Sequence, residues 1–172
     1  FTRSLNISEQ LGDLESIADA LNYLGNIYDE KGDIDKALNY FIRSLKISED
    51  LGDRLGIAWV LNNMGYNRIT VGEYDSAKAY LTRSLKLFEE VMDKHGIPYA
   101  LNNIGNIYYS TGEYDKAIDF LTKSLNIQKE TGTNIPTLIA FVETTIKLYL
   151  CYQKQGETFD KKVLERLIKD SG

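Results

Sequence analysis

Residues Ala100–Leu125 read ALNNIGNIYYSTGEYDKAIDFLTKSL. Leu101, Ile104, Gly105 and Tyr108 fall at the i, i+3, i+4, i+7 spacing of one helix face. The Thr111-Gly112 pair then punctuates the pattern, and Ala117 with Leu121 opens a second apolar stripe. The stretch predicts two antiparallel helices joined by a tight turn.

Outward from this hairpin, the chain repeats it. The turn glycines Gly32, Gly72 and Gly112 stand 40 residues apart. The same period superposes Ala37, Ala77 and Ala117, then Leu21, Leu61 and Leu101, then Gly25, Gly65 and Gly105. Ser4, Ser44, Ser84 and Ser124 carry the register toward both ends. A fixed period of this length marks an all-α solenoid, whose units bury their apolar faces only by stacking.

The repeated residues resemble the tetratricopeptide family, whose pattern is Leu-Gly-x-x-Tyr in a first helix and Ala-x-x-x-Phe in a second. Here these read Leu24-Gly25-x-x-Tyr28 with Ala37-x-x-x-Phe41, and Ile104-Gly105-x-x-Tyr108 with Ala117-x-x-x-Leu121. The ordinary repeat has about 34 residues, so each unit here is longer by about six. That is similar to the long-repeat branch, which includes kinesin light chain, the Leu-Gly-Asn spindle adaptors and Rap-type peptide receptors. The resemblance implies a right-handed superhelix of helix–turn–helix hairpins whose first helices line a concave, peptide-binding groove. Two positions depart from it. Arg68 stands where Tyr28 and Tyr108 stand, and in the last unit Gly156 falls four residues late, with Lys161 or Lys162 near the expected small alanine.

The register divides the chain into one array. Residues 1–13 read as part of a second helix from a preceding repeat, 14–53 as repeat 1, 54–93 as repeat 2, and 94–133 as repeat 3. Residues 134–172 read as a divergent fourth repeat or a C-terminal cap. Phe1-Thr2-Arg3-Ser4-Leu5 aligns with Phe41–Leu45 and Leu81–Leu85, inside a hairpin, so the sequence reads as a fragment of a longer protein. Glycine costs about 1 kcal/mol against alanine in a helix interior. The recurrence of Gly25, Gly65 and Gly105 therefore predicts a neighbouring backbone too close for a Cβ, with Ala37, Ala77 and Ala117 as the opposing small surface. Gly32, Gly72 and Gly112 are expected as left-handed residues ending each first helix.

Composition removes several classes of function. The net charge of −5 argues against nucleic acid or an anionic membrane as the main partner. The lone Cys151 excludes an internal disulfide and fits a reducing, cytoplasmic setting. No apolar run approaches the roughly 18 residues of a membrane span. Neither a glycine-rich phosphate loop, a nucleophile–base pair nor a metal-ligand spacing occurs, and His95, the only histidine, has no clustered acids or cysteines around it. The expected protein is not an enzyme and uses no cofactor or metal.

A second stripe on the first helices points to binding. It holds Asn22 and Asn26, with Asp19 and Tyr23, in repeat 1; Trp59, Asn62, Asn63 and Tyr66 in repeat 2; and Tyr99, Asn102, Asn103, Asn106 and Tyr109 in repeat 3. Asparagine is an indifferent helix former, so its recurrence inside helices needs a cause. Its amide offers a donor and an acceptor on a short stem, the complement of an extended peptide backbone, while large rigid aromatics can select side chains. Asn22, Asn62 and Asn102 are expected to align as a ladder facing a peptide. The competing reading is that these amides bond neighbouring helices. Arg3, Arg43, Arg83 and Lys123 form a basic ladder on the second helices, read as a solvated mixed-charge face because acids such as Glu49 and Glu89 lie close in sequence. The function expected is a protein-interaction scaffold holding an extended peptide segment. The alternatives are self-association through open solenoid ends, where Phe1 and Leu5 would be exposed, and a ligand-sensing domain of a larger signalling protein.

Overall fold

Helices and turns alone make up the residues described by the computed structural model, which are 13–131 and 135–156, with the side chains of 135–143 excepted. The helices are α1 (Leu14–Glu30), α2 (Ile34–Leu51), α3 (Arg54–Thr70), α4 (Tyr74–Glu90), α5 (Gly96–Ser110), α6 (Tyr114–Glu130) and α7 (Ile135–Lys154). The expected helix before residue 13, the open apolar end at Phe1 and Leu5, and the part of the fourth repeat or cap after residue 156 lie outside the described residues. The chain forms two compact units divided between Met92 and Asp93. The first holds the α1–α2 and α3–α4 hairpins, with α3 also packed on α1 and α2. In the second, α6 packs against both α5 and α7.

Inside each hairpin one contact sets the distance between the helices. A Cβ placed on Gly25 would meet the Phe41 ring at 2.3 Å, one on Gly65 would meet Leu81 Cγ at 2.5 Å, and one on Gly105 would meet Leu121 Cγ at 2.8 Å. The close neighbour is thus a large side chain and not, as expected from the glycine pattern, a backbone. Phe41, Leu81 and Leu121 are fully buried, as are Ala37, Ala77 and Ala117 one turn before them. The glycine is the socket, the Phe or Leu is the knob, and the alanine lets the second helix sit close enough for the knob to reach.

A buried serine fastens the same helix pairs. Ser44 Oγ donates to the Ala18 carbonyl at 2.7 Å, Ser84 Oγ to that of Ala58 at 2.7 Å, and Ser124 Oγ to that of Pro98 at 2.8 Å. A buried hydroxyl without a partner would cost free energy. Here the recurring serine meets the recurring carbonyl, and the burial is compensated in all three hairpins.

The turns end the first helices as expected. Gly32, Gly72 and Gly112 adopt φ of +78°, +77° and +79°. The following amides of Asp33, Glu73 and Glu113 donate back to the carbonyls of Tyr28, Arg68 and Tyr108, closing the Schellman arrangement. Between repeats the same left-handed position is Gly52 in one turn and Met92 in the next, one period later. Met92 holds φ of +55° as a non-glycine residue and is 80% exposed. Gly156, at φ +74°, closes α7, which has 20 residues against 15 for α5; this accounts for the late glycine in the last unit.

Two substitutions test this account. Gly65→Ala improves helix propensity by about 1 kcal/mol but drives a methyl into Leu81, and overpacking costs about 1–3 kcal/mol; chemical denaturation should show net destabilisation. Met92→Gly relieves a left-handed L-residue, a conformation costing about 1–2 kcal/mol, and should raise the melting temperature.

Candidate functional site

The candidate residues divide between the two units. In the first unit, Asn63 Nδ2 on α3 donates to Asn22 Oδ1 on α1 at 3.0 Å. The amides of neighbouring first helices do meet, but with a separation of 41 residues, so Asn22 pairs with Asn63 and not with its period equivalent Asn62. Both partners are half-buried. The bond uses one hydrogen of Asn63 and one lone pair of Asn22, which leaves each amide further donors and acceptors. Asn26 is half-buried on the same helix as Asn22, while Tyr23 and Tyr66 are exposed.

Asn62 lies inside, only 5% exposed, and Asn102 in the second unit is 8% exposed. Little of either amide reaches the surface. Asn102 Oδ1 is buried without a hydrogen-bond partner among the described residues. On the same helix, Asn103 and Asn106 are half-buried and Tyr99 is exposed.

Two of the four aromatics proposed from sequence are engaged within their own hairpins. Trp59 packs edge-on against Phe88, ring centroids 4.9 Å apart, and Tyr109 lies 5.8 Å from Tyr114 at a tilt. Tyr23, Tyr66 and Tyr99 are the large aromatics of the stripe with substantial exposure, 53%, 48% and 40%. Asp19, at the start of the stripe, has its carboxyl held above the usual range, first by partial burial and then by the charges of Asp53 and Asp13.

One fully buried polar residue of the first unit lies outside the candidate stripe. Asn67, fully buried, stands where repeats 1 and 3 have Ile27 and Ile107. Its Nδ2 donates to the Asp29 carboxylate and, at 3.4 Å, to the Ile34 carbonyl, and its Oδ1 accepts from Arg68 Nε at 3.1 Å and also from Arg68 Nη2. Arg68 Nη1 completes the network on Glu73 at 3.1 Å. In the flanking repeats the same place is aromatic: Tyr28 stacks on Tyr40 at 5.3 Å with Lys36 over its ring, and Tyr108 on Phe120 at 5.4 Å with Lys116 over it. The hydroxyl of Tyr28 also holds the Lys36 ammonium pKa above its ordinary value. The signal available in sequence is the paired break, Asn67-Arg68 for Ile-Tyr.

The remaining candidates are quiet. Arg83 pairs with Glu49 at 2.8 Å and Lys123 with Asp119 at 2.8 Å, both exposed, as a mixed-charge face requires. Arg3 lies outside the described residues. His95 is exposed in the turn before α5, and no metal-binding group of His, Cys, Asp and Glu occurs among the described residues. Cys151 is buried, and desolvation pushes its thiol up to about 11. No helix among the described residues is long and apolar enough to cross a membrane.

The sequence matches the tetratricopeptide repeat pattern over residues 16–90 and again over 56–130. The chain belongs to the tetratricopeptide repeat family. It is similar in structure to BtubC (BKLC) from P. vanneervenii, with a TM-score of 0.74 and 24% identity over 92% of this chain. This chain spans 63% of that one. It is also similar to a kinesin light chain-like protein of Podosopora anserina with nearly identical TPR-like repeats, with a TM-score of 0.63 and 13% identity over 96% of this chain and 79% of that one. A point variant of that protein gives a TM-score of 0.65 at the same identity and coverage. No curated protein sequence matches the chain. At these identities the neighbours share the fold, a solenoid of consecutive helix pairs. Tetratricopeptide arrays are in general non-enzymatic scaffolds for protein–protein interaction, and this chain has that fold.

Replacing Asn67 by the Ile of the flanking repeats should destabilise this tetratricopeptide unit by about 1–3 kcal/mol, because Arg68 loses a buried partner. The double substitution Asn67→Ile/Arg68→Tyr restores the pair found in repeats 1 and 3 and should recover most of the loss in a denaturation series.

Proposed function

We propose that the first-helix faces bind an extended segment of a partner protein through its main chain. The observation that carries this reading is the Asn22–Asn63 amide pair, half-buried between α1 and α3 and accompanied on the same helices by the exposed Tyr23 and Tyr66. Once bonded to each other, the two amides still offer an N–H donor and a carbonyl acceptor. Those are the groups an extended peptide needs at every residue, and they ask little of its sequence. Asn26 on α1, and Asn103 and Asn106 on α5, supply the same chemistry within their own units, while Tyr66 and Tyr99 offer amphipathic surfaces for side chains. The burial of Asn62 and Asn102 gives them a mainly internal role, so the contact surface centres on their neighbours. A protein partner suits a chain of net charge −5 better than nucleic acid or an anionic membrane does.

The test is a captured partner titrated against variants. Tyr66→Ala and the double substitution Asn22→Ala/Asn63→Ala should each lower affinity at least tenfold, about 1.4 kcal/mol. Alanine is the better helix former, and both asparagines lie part-way to solvent, so melting temperatures should stay close to wild type. Stable variants that bind at full strength would exclude this face as the binding surface.

A further inference from the structure

The first unit has a second surface that the amide stripe does not use. Its hairpin topology brings to one edge the starts of α1 and α3 and the ends of α2 and α4, and Arg54, the first residue of α3, is tied to Glu90, the last of α4, at 2.6 Å. Along this edge Leu14, Leu51, Leu55 and Met92 are exposed by 49%, 46%, 43% and 80%. Isolated exposed leucines are ordinary, but several aligned large apolar residues mark an interaction surface.

Two features show what this edge would accept. The last turns of α2 and α4 carry no basic residue and end in Glu49-Asp50 and Glu89-Glu90. A helix C-terminus is already negative, so acids there oppose the dipole; Glu49 and Glu90 are offset by Arg83 and Arg54. Asp50 and Glu89 form no ion pair among the described residues. The second feature is Met92, held at φ +55° where the preceding turn uses Gly52. Glycine would relieve the strain, but it would remove the most exposed apolar side chain of the row, and methionine is an adaptable contact residue.

We propose that this edge is a docking surface for a lysine- or arginine-rich amphipathic helix of another protein. The helix would lay its apolar face along Leu51, Leu55 and Met92 and set its cations against Asp50, Glu89 and the carbonyl ends of α2 and α4. A second copy of this chain fits less well, because two such edges carry the same sign.

The probe is a fluorescein-labelled amphipathic helical peptide of leucine and lysine, about five turns long, with a glutamate-for-lysine peptide as control. Each is titrated by anisotropy into the full 172-residue chain. The lysine peptide should bind more weakly as salt rises, and the glutamate peptide should not bind. Leu55→Ser/Met92→Gly and Asp50→Asn/Glu89→Gln should each weaken binding at least tenfold, whereas Tyr66→Ala should leave it unchanged. Thermal melts establish that each variant folds; should Leu55→Ser unfold the chain, Met92→Gly combined with Asp50→Asn/Glu89→Gln carries the test. Undiminished binding by the folded edge variants overturns the proposal, as does loss on Tyr66→Ala instead. Concentration-dependent self-association that disappears with the edge substitutions also overturns it in favour of a second copy.

Discussion

Everything in this molecule depends on the distance at which the two helices of a hairpin pack, and that distance is set by the insertion of Phe41, Leu81 or Leu121 over a glycine of the facing helix. The separations a Cβ would have, 2.3 to 2.8 Å, are far below ordinary contact, so any larger residue would part the helices. Once they sit this close, the buried serine hydroxyl comes within 2.8 Å of a first-helix carbonyl in each hairpin. The left-handed glycine then turns the chain immediately into the second helix, and the amides of the turn satisfy the carbonyls at the end of the first. Socket, knob, hydroxyl and turn are one device used three times. Period-locked residues elsewhere in the chain are consequences of it.

With the packing face so committed, polar variety is pushed onto the remaining faces of the first helices. There the repeats diverge. Repeats 1 and 3 hold an aromatic stack under a lysine, while repeat 2 buries an amide bonded to a carboxylate and a guanidinium. Burying charge is expensive without a partner, and the Asn67 amide supplies one to each side, donating to Asp29 and accepting from Arg68. Because Asp29 and Ile34 belong to repeat 1, this network also links the first two hairpins at a defined register.

The candidate surfaces follow from the same division. On the first helices, amides that meet across α1 and α3 retain unused donors and acceptors beside exposed tyrosines. At the opposite extreme of chemistry, the helix-end edge of the first unit combines exposed leucines and methionine with acids placed where helix dipoles disfavour them. Each leaves groups at the surface, the remaining amide hydrogens and lone pairs on one and Asp50 and Glu89 beside apolar side chains on the other, that the packing of the hairpins does not use.

The sequence alone determined the class, the hairpin period and the glycine turns that end each first helix, because a 40-residue repeat of glycine, alanine and leucine marks the faces by which the helices of each hairpin pack. It also located the stripe of amides and aromatics by helical spacing. Only the tertiary structure decided which of those residues face outward. A period places Asn22, Asn62 and Asn102 in equivalent positions, yet the crossing of neighbouring helices shifts contacts by one residue, pairing Asn22 with Asn63 and sending Asn62 inward. The same limit hid the role of the serines, the knob opposite each glycine, and the partners of Asn67. Spacing along one helix reports a face; what lies against that face is set by a segment dozens of residues away.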